Sequence, residues 1–208
     1  MILREIKQTS PERFTLVFDD GTELKTTLGI ITERFIHSGM DFDEDAYNEL
    51  VSACTLALSK ARALRIINAR PMSREELRKR LVEKGETPEN AEECAEWLCQ
   101  MGLINDTEYA GSVVRHYAAK GYGASRIKQE LRRHGVSREL WDEALETAPD
   151  AQETLARVIA SKTRGKPLNE KDYKRLSDAL LRRGFSWGEV KTALRTAGAA
   201  LTDADDGL

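Results

Sequence analysis

Six basic residues between positions 115 and 133 form a cluster that could bind an anion. Residues 106–138 contain seven basic and three acidic side chains, whereas residues 1–63 contain seven basic and eleven acidic ones. Arginine binds phosphate or carboxylate groups through two parallel hydrogen bonds, so the cluster fits DNA phosphates or an acidic groove. The alternative is an ordinary solvated helix face, which most runs of charge are. The cluster consists of Arg115, Lys120, Arg126, Lys128, Arg132 and Arg133.

A second basic set lies earlier in the chain. Arg74 and Arg78 are candidates for the same kind of contact, with Lys79 and Arg80 beside them. Basic residues that end a helix also complement the negative end of its dipole, which explains part of this pattern without a ligand. Basic residues that precede a glycine recur along the chain, at Lys84, Arg133 and Arg183. In a protein of stacked repeats, these three residues would form a line of positive charge along the surface.

The Gly121-Tyr122-Gly123 turn is a weak candidate for a phosphate-binding loop. It lacks the third glycine and the preceding strand of a dinucleotide-binding motif. The favoured interpretation is structural: Gly121 ends a helix, and Tyr122 packs or contacts a partner. Core packing is also the expectation for three tryptophans, because stacking on bases would require exposure. They are Trp97, Trp141 and Trp187.

Metal and catalytic sites are not expected. Cys94 and Cys99 lie five residues apart, about 140° around a helix, and no Cys or His stands at ligand spacing from a histidine. No nucleophile elbow or Walker loop is present. We therefore expect no enzyme, cofactor or metal. The odd cysteine count, the absence of a secretory signal and the lack of a long apolar run predict a cytoplasmic protein without a membrane span.

The first thirty residues predict strands and the remainder predicts helices. Apolar side chains alternate in residues 13–18 and 23–28, and Asp19-Asp20-Gly21 between them is a hairpin signal. Residues 2–7 add a third strand, and residues 29–37 predict a short helix. From Asp43 onward apolar residues recur at helical spacing. The 40% hydrophobic and 6% aromatic composition also favours helices over a β-sandwich.

Three segments share one pattern at intervals of 50 and 49 residues. Each has two aliphatic residues four apart, a glycine four positions later, and a Ser or Thr two positions beyond it that can cap the next helix. The segments are Leu77, Leu81, Gly85 and Thr87; Ile127, Leu131, Gly135 and Ser137; and Leu176, Leu180, Gly184 and Ser186. We predict a mainly α fold of three tandem three-helix, helix-turn-helix-like repeats in an elongated curved solenoid, with a small N-terminal β-meander or hairpin extension.

The predicted domain boundaries follow from this pattern. They are an N-terminal extension with short antiparallel strands at 1–42, repeats at 43–104, 105–149 and 150–198, and a disordered acidic tail at 199–208.

Two parts of the chain resemble RecX regulatory proteins. Residues 61–85 are similar to the opening repeat of that family, and residues 102–136 resemble its central part. The resemblance covers about residues 60–197, and its specific part lies between Ser73 and Val136. The residues that carry it in the centre are Asn105-Asp106, Tyr109-Ala110, Arg115, Gly121 with Gly123, Arg126-Ile127 and Glu130-Leu131-Arg132.

The resemblance implies a helical-repeat regulator that lodges in the groove of the RecA–single-stranded DNA filament. It also implies inhibition or modulation of the recombinase, ATPase and coprotease activities of RecA in homologous recombination, DNA repair and the SOS response. Some members of the family also bind single- or double-stranded DNA. We expect a monomer, whose contact residues would be the six-residue cluster together with Arg74 and Arg78.

Two other functions fit the same sequence. One is a DNA-binding regulator built from tandem helix-turn-helix units, which would need base-reading side chains in the first turn of one helix. The net charge of −3 argues against this hypothesis. The first helical turns at positions 73–75, 124–126 and 137–139 also argue against it, because their residue types are too varied for a base-reading surface. The other is a helical scaffold for a different acidic partner, which would keep the architecture but bind neither RecA nor DNA.

Overall fold

The N-terminal strands form an antiparallel meander, as predicted. The computed structural model describes residues 1–164 and 169–205, with side chains as far as Gly198. Strands β1 (Leu3–Ser10), β2 (Arg13–Phe18) and β3 (Glu23–Thr27) pair in the order β1-β2-β3. The turn between β2 and β3 places Gly21 at a φ of 88°, which favours glycine. The Asp20 side chain accepts hydrogen bonds from the backbone and hydroxyl of Thr22, and these bonds lower its pKa.

One face of the sheet packs on the long helix α2 (Glu44–Ala69). Asp43 caps this helix by accepting a hydrogen bond from the Ala46 backbone. The shared core contains Leu16 and Phe18 from the sheet and Leu50 and Cys54 from the helix. A small sheet is stabilised when its hydrophobic face is covered, and α2 provides that cover here.

The short helix α1 (Leu28–Glu33) ends earlier than the predicted range of 29–37. Phe35 adopts a left-handed backbone with a φ of 51°, and the Ile36 backbone N–H bonds back to the Ile31 carbonyl. This closure terminates the helix in the way that a glycine usually does.

The first repeat consists of α2, α3 (Arg74–Glu83) and α4 (Pro88–Gln100). Ser73 and Thr87 supply side-chain caps, and the cap at Thr87 was predicted from the repeat pattern. Gly85 ends α3 with a φ of 90°. The core includes Leu77, Leu81, Ala95 and Leu98, which are all fully buried. Burial of each leucine side chain stabilises the fold by about 1.5–3 kcal/mol.

The second and third repeats have the same order of elements. The second contains α5 (Asp106–Ala119), α6 (Ala124–Arg133), a 3-10 turn (Arg138–Leu140) and α7 (Trp141–Glu146). The third contains α8 (Ala151–Thr163), α9 (Glu170–Arg182) and α10 (Trp187–Asp205). The repeated aliphatic positions are all buried: Ile127, Leu131, Leu176 and Leu180. The prediction of a mainly helical chain of tandem three-helix units with a small N-terminal sheet is confirmed.

Two local predictions need correction. Ser137 makes no side-chain cap, because the chain enters α7 through the 3-10 turn, whereas Ser186 and Glu189 form a reciprocal capping box. The tail predicted at 199–208 begins inside α10, which continues to Asp205. Ala199, Ala200 and Leu201 favour helix, and no glycine or proline interrupts them. Residues 206–208 lie outside the described residues.

The chain divides into two compact units, Met1–Ile104 and Asn105–Leu208. The first unit contains one core beneath the sheet and another in the first repeat. The second unit contains one core in each of its two repeats. Within the second unit, backbone hydrogen bonds join the repeats directly: Gly123 N–H donates to the Arg183 carbonyl at 2.9 Å, and Ser125 N–H donates to the Gly184 carbonyl at 3.1 Å.

Candidate functional site

The basic cluster of the second repeat lies on α5 and α6 and separates into two groups. Arg115 on α5 and Arg132 on α6 are exposed. Lys120 caps the C-terminus of α5, and its ammonium lies 5.3 Å from the centre of the Tyr117 ring. Within the described residues, none of these three forms an ion pair, so their charges remain available. The other three members are paired with carboxylates.

A buried carboxylate, Glu130, holds two of the paired arginines. Its side chain is 4% exposed, and its Oε1 lies 2.9 Å from Arg126 Nη2. Its Oε2 lies 3.4 Å from Arg133 Nη1, without hydrogen-bond geometry. Burial is the main cause of the raised pKa of Tyr117, and a hydrogen bond to Glu130 adds to it. Sequence reasoning missed Glu130 as an organiser, although its spacing of four from Arg126 and three from Arg133 was a usable signal.

Arg126 and Lys128 are also held by neutral or exposed partners. Arg126 donates to Gln129 at 3.0 Å, and its guanidinium lies 6.0 Å from the centre of the Tyr122 ring. Lys128 forms an ion pair with the exposed Asp142 at 3.0 Å. These contacts leave Arg126 and Lys128 oriented but partly neutralised.

The two candidates in the first repeat are surrounded by glutamates. Arg74 pairs with Glu92 and, at 2.9 Å, with Glu96. Arg78 pairs with Glu75 at 2.8 Å and approaches Glu92 at 3.8 Å. The hydrogen bond to Glu92 raises the pKa of Arg74. The positive charge of Arg74 and Arg78 is therefore largely compensated inside the repeat.

The Gly121-Tyr122-Gly123 turn is a structural junction, which agrees with the favoured interpretation. Gly121 has a φ of 77° and ends α5, and Tyr122 packs on the core of the second repeat. The backbone N–H groups of Gly121, Tyr122 and Gly123 donate to the carbonyls of Ala118, Tyr117 and Arg183. These donors are consequently occupied, and the turn is no phosphate cradle.

Arg183 has a role in this junction that the sequence did not reveal. Its Nη1 donates to the Lys120 carbonyl at 3.0 Å and to the Gly121 carbonyl at 3.1 Å. Its guanidinium lies 5.6 Å from the centre of the Tyr122 ring. The sequence showed that Arg183 precedes a glycine. It did not show that Arg183 contacts a segment 63 residues earlier in the chain.

The tryptophans do not behave alike. Trp97 and Trp141 are half-buried against their repeat cores, and Trp141 Nε1 donates to the Val136 carbonyl at 3.0 Å. Trp187 is 56% exposed, so the expectation of core packing is wrong for this residue. It is the first residue of α10, one turn before the buried Val190.

The described residues contain neither a metal-binding cluster nor a membrane-spanning helix. Among residues 1–164 and 169–198, no three His, Cys, Asp or Glu side chains are grouped so as to hold a metal ion. None of the described helices is both long and apolar enough to cross a membrane.

Comparison with protein-family models matches parts of the first and second repeats. Residues 60–98 match the family model described as the first three-helix domain of RecX, and residues 105–145 match the second. The chain is 34% identical over 146 residues to the regulatory protein RecX of Halorhodospira halophila, covering 69% of this chain and 88% of that protein. It is 31% identical over 137 residues to the regulatory protein RecX of Vibrio vulnificus, covering 65% of this chain and 90% of that protein.

Solved structures support the same fold. A crystal structure of a regulatory protein RecX aligns with a TM-score of 0.71 and 22% identity, covering 93% of this chain and 98% of that one. The crystal structure of RecX from Lactobacillus salivarius aligns with a TM-score of 0.62 and 23% identity, covering 70% of this chain and 97% of that one. Together with the sequence relatives, these matches show that the chain belongs to the RecX family of regulatory proteins.

Proposed function

We propose that this protein binds the RecA–single-stranded DNA filament in the cytoplasm and restrains its growth and activities without catalysing a reaction itself. Family membership supplies the regulatory role. The observation that supports the contact surface is a pair of exposed arginines on the second repeat, Arg115 and Arg132, neither of which forms an ion pair with any described residue. They lie within the residues that match the second RecX domain.

The electrostatics of the second repeat fit a polyanionic partner. Lys120 adds a third positive charge that has no acidic partner among the described residues. On α6, Glu130 holds Arg126 and Arg133 in place through ion pairs. A filament that carries DNA in its groove offers phosphates to such a surface. Exposed charges of this kind act mainly on association rate and specificity, so their effect should weaken as salt rises.

A helix-turn-helix DNA regulator is the second candidate, and one contact weakens it. Such a regulator inserts the first turn of a helix into the major groove. At the start of α6 that turn is occupied, because Ser125 N–H donates to the Gly184 carbonyl and Gly123 packs on Gly184. Arg74, at the start of α3, is engaged by Glu92 and Glu96.

The test is RecA ATP hydrolysis on single-stranded DNA with the protein titrated in at substoichiometric amounts. Inhibition well below one protein per RecA subunit is the expected result. The variant Arg115→Glu/Arg132→Glu should lose most of this inhibition. The matched control is Lys191→Glu/Arg195→Glu on α10, which makes the same change of charge at exposed residues of the same unit.

No inhibition by the unaltered protein, even in excess, would rule out the proposed function. A salt series with duplex DNA in the absence of RecA would then test the helix-turn-helix alternative, and a steep fall in affinity with salt would favour it. Equal inhibition by both double variants would retain RecA binding but reject Arg115 and Arg132 as its contacts.

A further inference from the structure

A cleft in the second unit gathers basic residues from both of its repeats. Its cavity volume is about 220 Å³, and it is bounded by the end of α5, by α8 and by the end of α9. The residues that matter here are Lys120, Gly121, Arg157, Ser161, Lys162 and Arg183. Among the described residues, no carboxylate lines the cleft. We refer to this feature as the junction cleft.

Part of this charge has a structural explanation. The carbonyls at the end of α5 need donors, and Arg183 and Arg157 supply them: Arg183 binds the Lys120 and Gly121 carbonyls, and Arg157 Nη2 approaches the Ala118 carbonyl at 3.4 Å. A guanidinium carries five N–H donors, however, and these contacts use one nitrogen of each arginine. Most donors of both side chains are left for a ligand.

The four cations of the junction cleft have no acidic partner among the residues whose side chains are described. In the part of the chain that the structure describes, Lys120, Arg157, Lys162 and Arg183 form no ion pair. Elsewhere, in the first repeat, Arg62, Arg70 and Arg80 each pair with a glutamate. Four like charges around one cavity repel each other, and a bound anion would relieve that repulsion.

The cleft is rigid on one side. Arg183 is held by two carbonyls and by the Tyr122 ring, so its orientation is set before any ligand arrives. Gly121 allows the close approach: a Cβ there would lie 2.6 Å from Val158 Cγ2 and 3.0 Å from Arg183 Nη1. A pre-positioned cation loses little conformational entropy on binding.

We propose that the junction cleft binds a backbone phosphate of single-stranded DNA. This proposal rests on the proposed function and extends it, because it adds Arg157, Lys162 and Arg183 as DNA contacts. A phosphate accepts hydrogen bonds in several directions, which suits cations that arrive from α5, α8 and α9. A planar carboxylate is best bound by a single guanidinium.

The experiment measures the anisotropy of fluorescein-labelled oligo(dT), without RecA, across a potassium chloride series. The test variant is Arg157→Gln/Lys162→Gln, which leaves Arg183 and the backbone junction intact. The control is Lys191→Gln/Arg195→Gln, which removes the same charge from α10. Thermal unfolding of both variants verifies that the fold is retained.

The test variant should bind oligo(dT) about tenfold more weakly. Its salt slope should fall by about 0.7, because the variant loses the contact to one phosphate and each such contact on a single strand contributes about 0.7. The control should change neither quantity comparably. Three results would overturn the proposal: no oligo(dT) binding by the unaltered protein, equal losses in both variants, or a test variant that weakens RecA filament binding while binding oligo(dT) normally. The last result would mean that the cleft contacts carboxylates of RecA. Substoichiometric inhibition of RecA ATP hydrolysis by the unaltered protein, measured in parallel, reports separately on the proposed function.

Discussion

The first and second repeats contain similar sets of arginines but use them differently. In the first repeat, Arg74 and Arg78 lie among Glu75, Glu92 and Glu96, so their charges are neutralised within the repeat. In the second repeat, Arg115 and Arg132 have no acidic partner among the described residues. Whether an arginine in this repeat fold is available to a partner therefore depends on the acidic side chains that its own helix and the neighbouring helix bring near it.

The glycines that end the middle helices differ in the same way. Gly85 in the first repeat and Gly184 in the third share a φ of 90°. A Cβ added at Gly85 would meet nothing within 4 Å, whereas one at Gly184 would lie 2.7 Å from Arg126 Cβ. One glycine serves only a helix end, and the other also allows two repeats to pack backbone to backbone.

The largest expected effect compares these glycines. Gly85→Ala should lower the free energy of unfolding by about 1–2 kcal/mol through backbone strain alone. Gly184→Ala should lower it by about 3–5 kcal/mol, because overpacking against Arg126 adds to that strain. Urea unfolding followed by circular dichroism measures both. Equal losses would show that the close contact between the second and third repeats does not matter for stability.

The charge comparison predicts a separation of binding from stability. Arg115→Ala/Arg132→Ala should weaken filament affinity about tenfold, which corresponds to about 1.4 kcal/mol, with little change in stability. Arg74→Ala/Arg78→Ala should leave affinity unchanged and lower stability only slightly, because solvent screens exposed ion pairs. Filament binding and thermal unfolding distinguish the two. A binding loss in the second variant would mean that the first repeat also contacts the filament.

Cysteine reactivity reports on the first unit alone, because all three cysteines precede residue 105. Burial raises the pKa of the Cys94 thiol from 9.0 to about 11. Because burial disfavours the thiolate, ionisation of this thiol leaves the stability of the fold unchanged below pH 9 and lowers it as the pH rises from 9 toward 11. Iodoacetamide should therefore label Cys94 slowly below pH 9, and Gly85→Ala should accelerate labelling more than Gly184→Ala, as followed by mass spectrometry. If Gly184→Ala accelerated the labelling of Cys94 more than Gly85→Ala did, the substitution at Gly184 would also destabilise the first unit.

The smallest expected effect concerns acid pH. The hydrogen bond from Arg78 is the main cause of the lowered pKa of Glu75, so their interaction stabilises the first repeat above the ordinary glutamate value of 4.5. This contribution disappears as the pH falls through the lowered pKa. Because both side chains are partly exposed, about 0.3–0.5 kcal/mol is expected. Glu75→Gln should abolish this part of the pH dependence in urea unfolding, and an unchanged profile would contradict the assignment.

Sequence reasoning was most successful where the determinants are local. Helix ends at Gly85 and Gly184, the caps at Ser73 and Thr87, and the hairpin at Asp20-Gly21 depend on a few neighbouring residues, so their patterns were readable. It failed at Trp187 and Ser137, where the residue type favoured one environment and the packing of adjacent elements produced another.

The candidate surface was predictable only in outline. Arg115 and Arg132 could be selected from the charge pattern, but Arg78 looked equally suitable until its glutamate partners were seen. Glu130 was overlooked because a single acidic residue in a basic segment gives no sign of its burial. Arg157 and Lys162 drew no attention, since they stand alone in the sequence and become part of a cluster only when α8 packs beside the end of α5.

The sequence by itself determined the helical class, the three-helix repeats and the N-terminal meander, because hydrophobic periodicity, caps and turn residues act over a few positions. The tertiary structure decided which cations are free and which are paired. It also decided that Arg183 contacts the end of α5, where it binds the carbonyl of Gly121, 62 residues earlier in the chain. The same packing brings four cations into one cleft. Those outcomes depend on contacts between segments far apart in the chain, and the strength of each charge interaction depends on distance and burial that folding alone establishes.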